Sequence, residues 1–373
     1  MSQSFGIALG PRIRKSPFFN STVKAGVSHF TTYNHMYMPV SYGDLAAEYD
    51  RLINGVAMWD VAAERQVCMK GPDAIELARL ITPRNLDKLV YGMGRYIPMC
   101  NSRGTLINDP VLQKISEDEG WISIADSDMK FWCEALAVGK GMNVTVTEPD
   151  ASPLAVQGPK AVDLISDVMG DWVRELKYFG FKQTELNGIP LLVARSGWSK
   201  QGGYELYLLD GAKGDQLWDS IAEAGEAYGI GPGAPNYIER VESGLISVNA
   251  DTDDDANPFE MGMGKFIDLD QDVDYVGKAA LKQIAADGPA RKFCGVVMDG
   301  DKLASTNAHR WDIEQNGRYV GFASAAAYSP RLDQNIAVAL ITTEAAESGA
   351  EMQVMTDHGV RNAVATSLPF GKK

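Results

Sequence analysis

A strand-to-helix corner occurs twice in this sequence and restricts the folds that the chain can adopt. Each copy has an apolar run, a Gly-Pro pair and then a helical pattern, with the corners at Gly71-Pro72-Asp73 and Gly158-Pro159-Lys160. Glycine tolerates the turn, and proline suits the first turn of a helix. The two copies therefore predict two related α+β subdomains.

Other patterns extend this prediction along the chain. Leu45, Tyr49, Leu52 and Ile53 recur at helical spacing before Asn54-Gly55, which predicts a helix that ends there. After Lys292 the chain has short apolar runs between Gly and Asn turns, which predicts a small C-terminal β-barrel or sandwich. We expect an α+β fold with one lobe over residues 1–150, rejoined by residues 236–285, a second lobe over residues 151–235, and a barrel domain over residues 286–373.

The composition narrows the classes of partner. The chain has 373 residues, which allows two or three packed units, and its formal net charge is −14. This charge repels phosphate backbones and anionic headgroups, so we expect neither a nucleic-acid nor a membrane partner. An anionic ligand would need a locally basic entrance, whereas a zwitterion with a cationic head is less disfavoured.

The cysteines and the hydropathy indicate a reducing compartment. Cys68, Cys100, Cys133 and Cys294 are widely spaced and form no Cys-x-x-Cys pair, so we expect buried, reduced thiols. The sequence has no early apolar leader and no run of apolar residues long enough to span a bilayer. We expect a cytoplasmic protein, and the sequence allows a homodimer.

Several kinds of active site are disfavoured by the motifs. The four histidines form no helical metal-binding pair, and the acidic run Asp251 to Asp255 lacks the glycine and glutamate of a calcium loop, so we expect a solvated loop and no catalytic metal. No glycine pair completes a dinucleotide or ATP fingerprint, and no Gly-x-Ser-x-Gly elbow is present.

Asp109 is the first candidate for catalysis. It closes the apolar run Gly104 to Asn108, and burial raises the pKa of an aspartate unless hydrogen bonds compensate, so this group could act as an acid or base. The alternative is an aspartate that forms a turn before Pro110.

The second candidate is a glycine-rich loop and the strand after it, which carry Trp198, Glu205 and Tyr207. Glu205 and Tyr207 share one strand face because side chains alternate with a period of two. Aromatic faces attract a sulfonium or quaternary ammonium, and a carboxylate can hydrogen-bond an amino-pyrimidine edge. The alternative is a half-exposed hairpin with aromatic packing.

A series of motifs, in order along nearly the whole chain, resembles the glycine-cleavage aminomethyltransferase family. They are Met38 to Tyr42, Lys70 to Ala74, Asn108-Asp109, Gln157 to Ala161, Gly203 to Glu205, Arg240 to Gly244, Asn257 to Gly264 and Tyr275 to Leu281. The resemblance implies a three-lobed assembly that binds tetrahydrofolate in a central channel. It implies that Asp109 works near the folate N5, that Glu205 holds the pterin and that Tyr96 lines the folate site.

The chain departs from the aminomethyltransferase pattern at Ala62 to Arg65, at Ser196 to Gln201 and at Pro235 to Tyr237. These departures make an aminomethyl donor doubtful and are similar to the dimethylsulfoniopropionate demethylase branch of the family. That branch implies methyl transfer from sulfur to folate N5.

For this reaction we expect Trp198, Tyr207 and Tyr33 to form an aromatic wall for the sulfonium. Lys200 and Arg240 are candidates for anion contacts, although a surface lysine such as Lys200 is more often solvated. The alternatives are a folate-dependent demethylase of a betaine or aryl methyl ether, an aminomethyltransferase, and a non-catalytic folate-binding protein.

Overall fold

A computed structural model describes residues 9–371 of the chain. The α-helices are α1 (Phe19–Lys24), α2 (Leu45–Asn54), α3 (Ala74–Leu80), α4 (Met129–Lys140), α5 (Ala161–Met169), α6 (Gly214–Gly225), α7 (Tyr237–Ser243) and α8 (Lys278–Asp287). Short 3₁₀ turns cover Asp171–Glu175, Gly211–Lys213, Glu226–Tyr228 and Gly264–Phe266.

The strands in the first part of the chain are β1 (His29–Tyr33), β2 (Met36–Ser41), β3 (Val56–Asp60), β4 (Gln66–Lys70), β5 (Gly94–Tyr96), β6 (Met99–Cys100), β7 (Leu106–Asn108), β8 (Val111–Lys114), β9 (Glu119–Ser123) and β10 (Thr145–Thr147). They continue with β11 (Ser152–Gln157), β12 (Phe181–Leu186), β13 (Ile189–Ala194), β14 (Gly203–Leu208) and β15 (Ile230–Gly233). The last group is β16 (Arg291–Met298), β17 (Trp311–Gln315), β18 (Arg318–Ser329), β19 (Gln334–Thr342), β20 (Glu351–Thr356) and β21 (Gly359–Thr366).

The described residues form two compact units. The first contains the described residues up to Arg65, Asp150–Gly197 and Gln201–Ala234, and the second contains Gln66–Pro149, Trp198–Lys200 and the described residues from Pro235 onward.

The first unit is built on a six-stranded sheet with the order β12-β13-β14-β11-β3-β15. Its neighbours pair antiparallel, except that β15 runs parallel to β3. The central strands β11 and β14 are almost wholly buried, and their apolar side chains form a core with α5 and α6. Burial of both faces explains why these strands are apolar without a clear alternation.

The second unit contains a five-stranded antiparallel sheet with the order β10-β4-β9-β8-β5. One face of it packs Val67, Met69, Leu112 and Ile122 against α3 and α4. The same unit contains a closed barrel with the order β16-β19-β18-β17-β20-β21, whose core includes Val296, Ile313 and Ala337.

The structure confirms the α+β class and shows that the predicted C-terminal β domain is a barrel rather than a sandwich. It also confirms α2 and the helices after both Gly-Pro corners, α3 and α5. The proposed boundaries of the lobes stay a prediction. No helix within residues 9–371 is long and apolar enough to cross a membrane.

The second corner depends on a glycine. Gly158 has a φ of +127°, and a Cβ atom there would lie closer than 3.0 Å to the carbonyl oxygen of Gly55, at the end of α2. A side chain would therefore be strained by its backbone conformation and by its neighbour at once.

We expect Gly158→Ala to lower the free energy of unfolding by at least ~1 to 3 kcal/mol. The matched control is Gly139→Ala in α4, where a Cβ atom has nothing within 4 Å and the higher helix propensity of alanine should leave stability unchanged or raised by about 0.5 to 1 kcal/mol. Urea unfolding of both variants measures the difference. Equal effects would show that the corner does not need glycine.

Candidate active site

In the second unit, a carboxyl group forms a hydrogen bond with a phenol. Asp109 follows β7, Tyr96 ends β5, and the Tyr96 hydroxyl donates a hydrogen bond of 2.7 Å to Asp109 Oδ2. Asp109 as a residue is only partly buried, but protein atoms surround its carboxyl group. This desolvation raises the pKa of Asp109 to about 7, the hydrogen bond from Tyr96 opposes the rise, and the charge of Asp251 adds to it.

The side chain of Asn108 fixes the loop that carries Asp109. Its amide nitrogen donates to Ala125 O at 3.1 Å and to Ser127 Oγ at 2.7 Å. Its amide oxygen accepts the backbone N–H groups of Asp109 and Ala125 at 3.0 and 3.1 Å. The Asn108 side chain therefore fixes the backbone of this loop, and the Asp109 carboxyl group is not needed for that purpose.

A buried ion pair lies in the same unit. Arg240 of α7 contacts Asp251 with two hydrogen bonds, of 2.9 and 3.1 Å, and also donates to Leu245 O at 3.0 Å. Asp251 is 0% exposed and also accepts from Ser247 N at 2.7 Å and Ser324 Oγ at 2.6 Å. These donors stabilise a charge that burial alone would disfavour.

This result corrects the prediction that residues 251–255 form a solvated loop. Asp251 is fully buried, and Asp253 pairs with Arg291 at 2.5 and 3.1 Å, whereas Asp254 and Asp255 are exposed. The loop turns the first carboxylate inward because its cationic partner comes from a separate helix, which the local sequence does not reveal.

Two aromatic rings flank Arg240. Its guanidinium carbon lies 5.9 Å from the Trp198 ring centroid and 5.4 Å from that of Tyr237. Lys200 is exposed, and its backbone N–H donates to Glu239 Oε1 at 3.0 Å. Because Asp251 already balances the charge of Arg240, a ligand anion would compete for that guanidinium. The anion-binding roles of Arg240 and Lys200 stay predictions.

The first unit contains a second enclosed carboxyl group. Glu205 on β14 is buried and accepts hydrogen bonds from Ser196 Oγ and from Tyr207 Oη, the latter at 3.2 Å. Desolvation raises the pKa of Glu205, and the two hydrogen bonds oppose the rise. The contact with Tyr207 confirms that the two residues share a strand face.

The loop before β14 is held by Gln157. Its amide nitrogen donates to Ser196 O at 3.1 Å and to Tyr204 O at 3.3 Å. Gly197 has a φ of +144°, and a Cβ atom there would lie closer than 3.0 Å to the Gln157 amide. Ser196 is thereby placed against Glu205. No role was assigned to Ser196 from the sequence. Its position beside Gly197 is the sequence feature from which a role could have been predicted.

The structure thus brings together three pairs among the predicted residues: Tyr96 with Asp109, Glu205 with Tyr207, and Trp198 with Arg240. Tyr207 is 1% exposed, and Tyr33 packs partly buried against the core of the first unit. The proposed ligand contacts of all these residues stay predictions. Within residues 9–371 no group of His, Cys, Asp and Glu side chains has an arrangement that could hold a metal ion.

Two models of known protein families match this chain. The GCVT N-terminal domain model matches residues 18–271, and the model of the glycine cleavage T-protein C-terminal barrel domain matches residues 291–372. The chain therefore belongs to the glycine cleavage T-protein family.

Individual relatives narrow the comparison. The dimethylsulfoniopropionate demethylase DmdA of Ruegeria pomeroyi is 41% identical to this chain and aligns over 94% of it and 95% of that protein. An aminomethyltransferase of Caldanaerobacter subterraneus is 28% identical, with 90% of each chain covered. The crystal structure of aminomethyltransferase T from Bartonella henselae shares the fold, with a TM-score of 0.82, 20% identity and coverage of 96% of this chain.

The enclosure of Asp109 predicts a pH-dependent stability difference. Its folded-state pKa of about 7 lies above the ~3.9 of an unfolded aspartate, so the folded state holds the proton more tightly. The stabilisation that protonated Asp109 gives the folded state is fully present below about pH 4 and is lost as the pH rises to about 7. The Asp109→Asn variant has no such titration. Its free energy of unfolding should therefore increase relative to that of the original protein as the pH rises, by at most roughly 4 kcal/mol.

Urea unfolding at about pH 4.5 and about pH 8 measures this gain. The control is Asp254→Asn, an exposed carboxylate of the same unit, which should give the same difference from the original protein at both pH values. A gain for Asp109→Asn that does not depend on pH would contradict the raised pKa.

Proposed function

We propose that this protein transfers a methyl group from dimethylsulfoniopropionate to tetrahydrofolate, giving methylmercaptopropionate and 5-methyltetrahydrofolate. The observation that carries the proposal is the enclosed Asp109 carboxyl group, which has a pKa of about 7 and a hydroxyl partner at 2.7 Å. The 41% identity to a dimethylsulfoniopropionate demethylase over almost the full length of both chains supports this choice of methyl donor.

The proposed reaction balances without a metal. The bond between sulfur and the methyl carbon breaks, its electron pair stays on sulfur, and the donor leaves as a neutral thioether. Tetrahydrofolate supplies the N5 nucleophile that forms the new bond to carbon and then carries an extra proton. The protein must align the reacting atoms and accept that proton, but it needs no acid for the leaving group.

Asp109 has the properties of the proton acceptor. A carboxylate with a pKa of about 7 is a stronger base than a solvated aspartate and is still ionised in a useful fraction at neutral pH. Tyr96 donates its hydrogen bond to one carboxylate oxygen and leaves the other for a ligand. Burial raises the pKa of Tyr96 well above its usual value, so the phenol stays protonated and remains a donor.

Trp198 is the proposed contact for the sulfonium. Its half-buried ring already lies within cation-π distance of the Arg240 guanidinium, so its electron-rich surface is directed toward positive charge in this unit. The loop from Ser196 to Gln201 is also where the chain departs from the aminomethyltransferases. This departure favours a cationic methyl donor over a protein-bound aminomethyl group.

The proposal extends to the setting of the reaction. All four cysteines, Cys68, Cys100, Cys133 and Cys294, are buried free thiols, which suits a cytoplasm that keeps thiols reduced.

Glu205 is the proposed partner of the pterin amino-pyrimidine edge, and a hydrogen-bonding carboxylate of this type supports the dependence on folate.

We expect Asp109→Asn to lower kcat by roughly 10² to 10⁴ because the amide cannot accept the N5 proton. The kcat/KM of the original protein should rise with pH toward a plateau above about 7, and this rise should be absent in the variant. Incubation with tetrahydrofolate and dimethylsulfoniopropionate, followed by mass analysis for 5-methyltetrahydrofolate, measures both. Asp254→Asn serves as the control.

Parallel incubations with glycine betaine and an aryl methyl ether test the alternative donors. A product formed only from one of these would contradict the proposed substrate, and a normal rate for Asp109→Asn would contradict the proposed base.

We expect Trp198→Ala to raise the KM for dimethylsulfoniopropionate about tenfold, because loss of a desolvated cation-π contact removes roughly 1 to 2 kcal/mol. Trp198→Phe should give a smaller increase, since phenylalanine keeps a weaker ring quadrupole. The control Phe131→Ala removes a ring that is 64% exposed on α4. Steady-state kinetics with varied donor measure the effect, and equal KM values for Trp198→Ala and the control would remove Trp198 from the donor site.

A further inference from the structure

Two cationic side chains lie against one aromatic ring close to Tyr96, and a third lies near them. The Arg84 guanidinium carbon lies 4.7 Å from the Phe266 ring centroid, and Lys265 Nζ lies 4.9 Å from the same centroid. Arg95 is near enough that its charge acts on Arg84. We call Arg84, Arg95, Lys265 and Phe266 the basic cluster.

The cluster is not neutralised from within the protein. In the part of the chain that the structure describes, neither Arg84, Arg95 nor Lys265 forms an ion pair with a carboxylate. The nearby Asp268 is engaged elsewhere, because its oxygens accept hydrogen bonds from Asn85 Nδ2 at 3.0 Å and from the backbone of residues 270 and 271 at 3.1 Å. Clustered positive charge without a carboxylate partner attracts anions, even in a chain of net charge −14.

Arg84 is also held in place. It is half-buried, it donates to the carbonyl oxygen of Tyr96, and it stacks on Phe266. Desolvation lowers the pKa of Arg84, and the charge of Arg95 adds to this effect. An ordered guanidinium loses little freedom when it binds a carboxylate, and its planar donors match the two oxygens.

The cluster adjoins the proposed catalytic pair through two rings. Tyr96 and Phe266 are in edge-to-face contact with centroids 5.3 Å apart, while the Tyr96 hydroxyl points to Asp109. A ligand that reaches Asp109 with one end can therefore pass along an aromatic surface and meet the cations with the other. Tetrahydrofolate has this chemical order: a pterin, an aromatic ring, and a glutamate with two carboxylates.

We propose that the basic cluster binds the glutamate carboxylates of the folate, with Arg84 as the main contact and Phe266 packing beside the benzoyl ring. This inference rests on the proposed function for the identity of the ligand and deepens it by assigning the anionic end. It also gives the chain a local site for an anion despite its overall negative charge. The carboxylate of the methyl donor shares this chemistry, so the test must separate the two.

The test compares tetrahydrofolate with tetrahydropteroate, which lacks the glutamate. We expect the original protein to bind tetrahydrofolate about tenfold more tightly, a change equivalent to ~1.4 kcal/mol, and Arg84→Gln to lose this preference while keeping its Kd for tetrahydropteroate. Lys265→Gln should lose part of the preference. The control Lys282→Gln, on the exposed side of α8, should keep it. Anaerobic calorimetry without methyl donor gives each Kd.

Salt provides a second measurement that needs no variant. Raising the ionic strength should weaken the binding of tetrahydrofolate more than that of tetrahydropteroate, because the glutamate brings two carboxylates to the cations, whereas tetrahydropteroate carries only its single benzoate carboxylate. This arm decides the question if Arg84→Gln fails to fold by circular dichroism.

The outcomes separate the two proposals. Equal affinity of the original protein for both ligands, or a full preference retained in Arg84→Gln, would overturn the basic cluster as the glutamate site even with methyl transfer intact. An Arg84→Gln effect on the KM for dimethylsulfoniopropionate alone would also overturn it and assign the cluster to the donor. A preference that Arg84 controls, without methyl transfer, would support the cluster and overturn the proposed reaction.

Discussion

The buried ion pair of Arg240 and Asp251 is the interaction on which the second unit depends. It joins α7 to the loop after it, and Ser324 extends the hydrogen bonding to strand β18 of the barrel. Removing one partner of such a pair leaves an uncompensated charge in the protein interior and typically costs about 3 to 5 kcal/mol. The Arg240–Asp251 pair therefore stabilises the fold of the second unit, whatever role it also has in function.

The same ion pair affects the chemistry of Asp109. The charge of Asp251 adds to the desolvation that raises the pKa of Asp109, so a group that stabilises the fold also tunes the proposed base. Because Arg240 is oriented by Asp251, it is fixed between the rings of Trp198 and Tyr237. Structure and reactivity in this unit are thus coupled through one carboxylate.

The sequence predicted those parts of the fold that local chemistry determines. The Gly-Pro corners, the helix α2 and the shared face of Glu205 and Tyr207 each depend on residues close together in the chain, and each was confirmed. The C-terminal strands were predicted, but closure into a barrel depends on the pairing of β16 with β21, which joins distant segments.

The candidate site was harder to predict for the same reason. The family resemblance singled out Tyr96 and Asp109 separately, but their hydrogen bond depends on how β5 and the loop after β7 meet. Asp251 was assigned to a solvated loop because its acidic run lacks the glycine and glutamate of a calcium loop, but its cationic partner lies on α7, before the loop. Local composition describes the average environment of a run, whereas long-range packing decides the position of each carboxylate.

The balance of acids and bases at Asp109 also distinguishes the possible leaving groups. A sulfonium departs as a neutral thioether, so methyl transfer from it needs a base at the acceptor and nothing more. An amine that leaves from carbon must be protonated unless it is already quaternary, which would require an acid beside the donor. The proposed catalytic pair consists of Asp109, whose pKa of about 7 suits a base, and Tyr96, whose raised pKa makes it a poor proton donor in a full transfer. One tuned carboxyl group and a phenol that only hydrogen-bonds are sufficient for a donor that leaves as a neutral group without protonation, such as a sulfonium or a quaternary ammonium. A tertiary amine or an ether as the donor would need a separate acid, which is why this pair favours a cationic methyl donor.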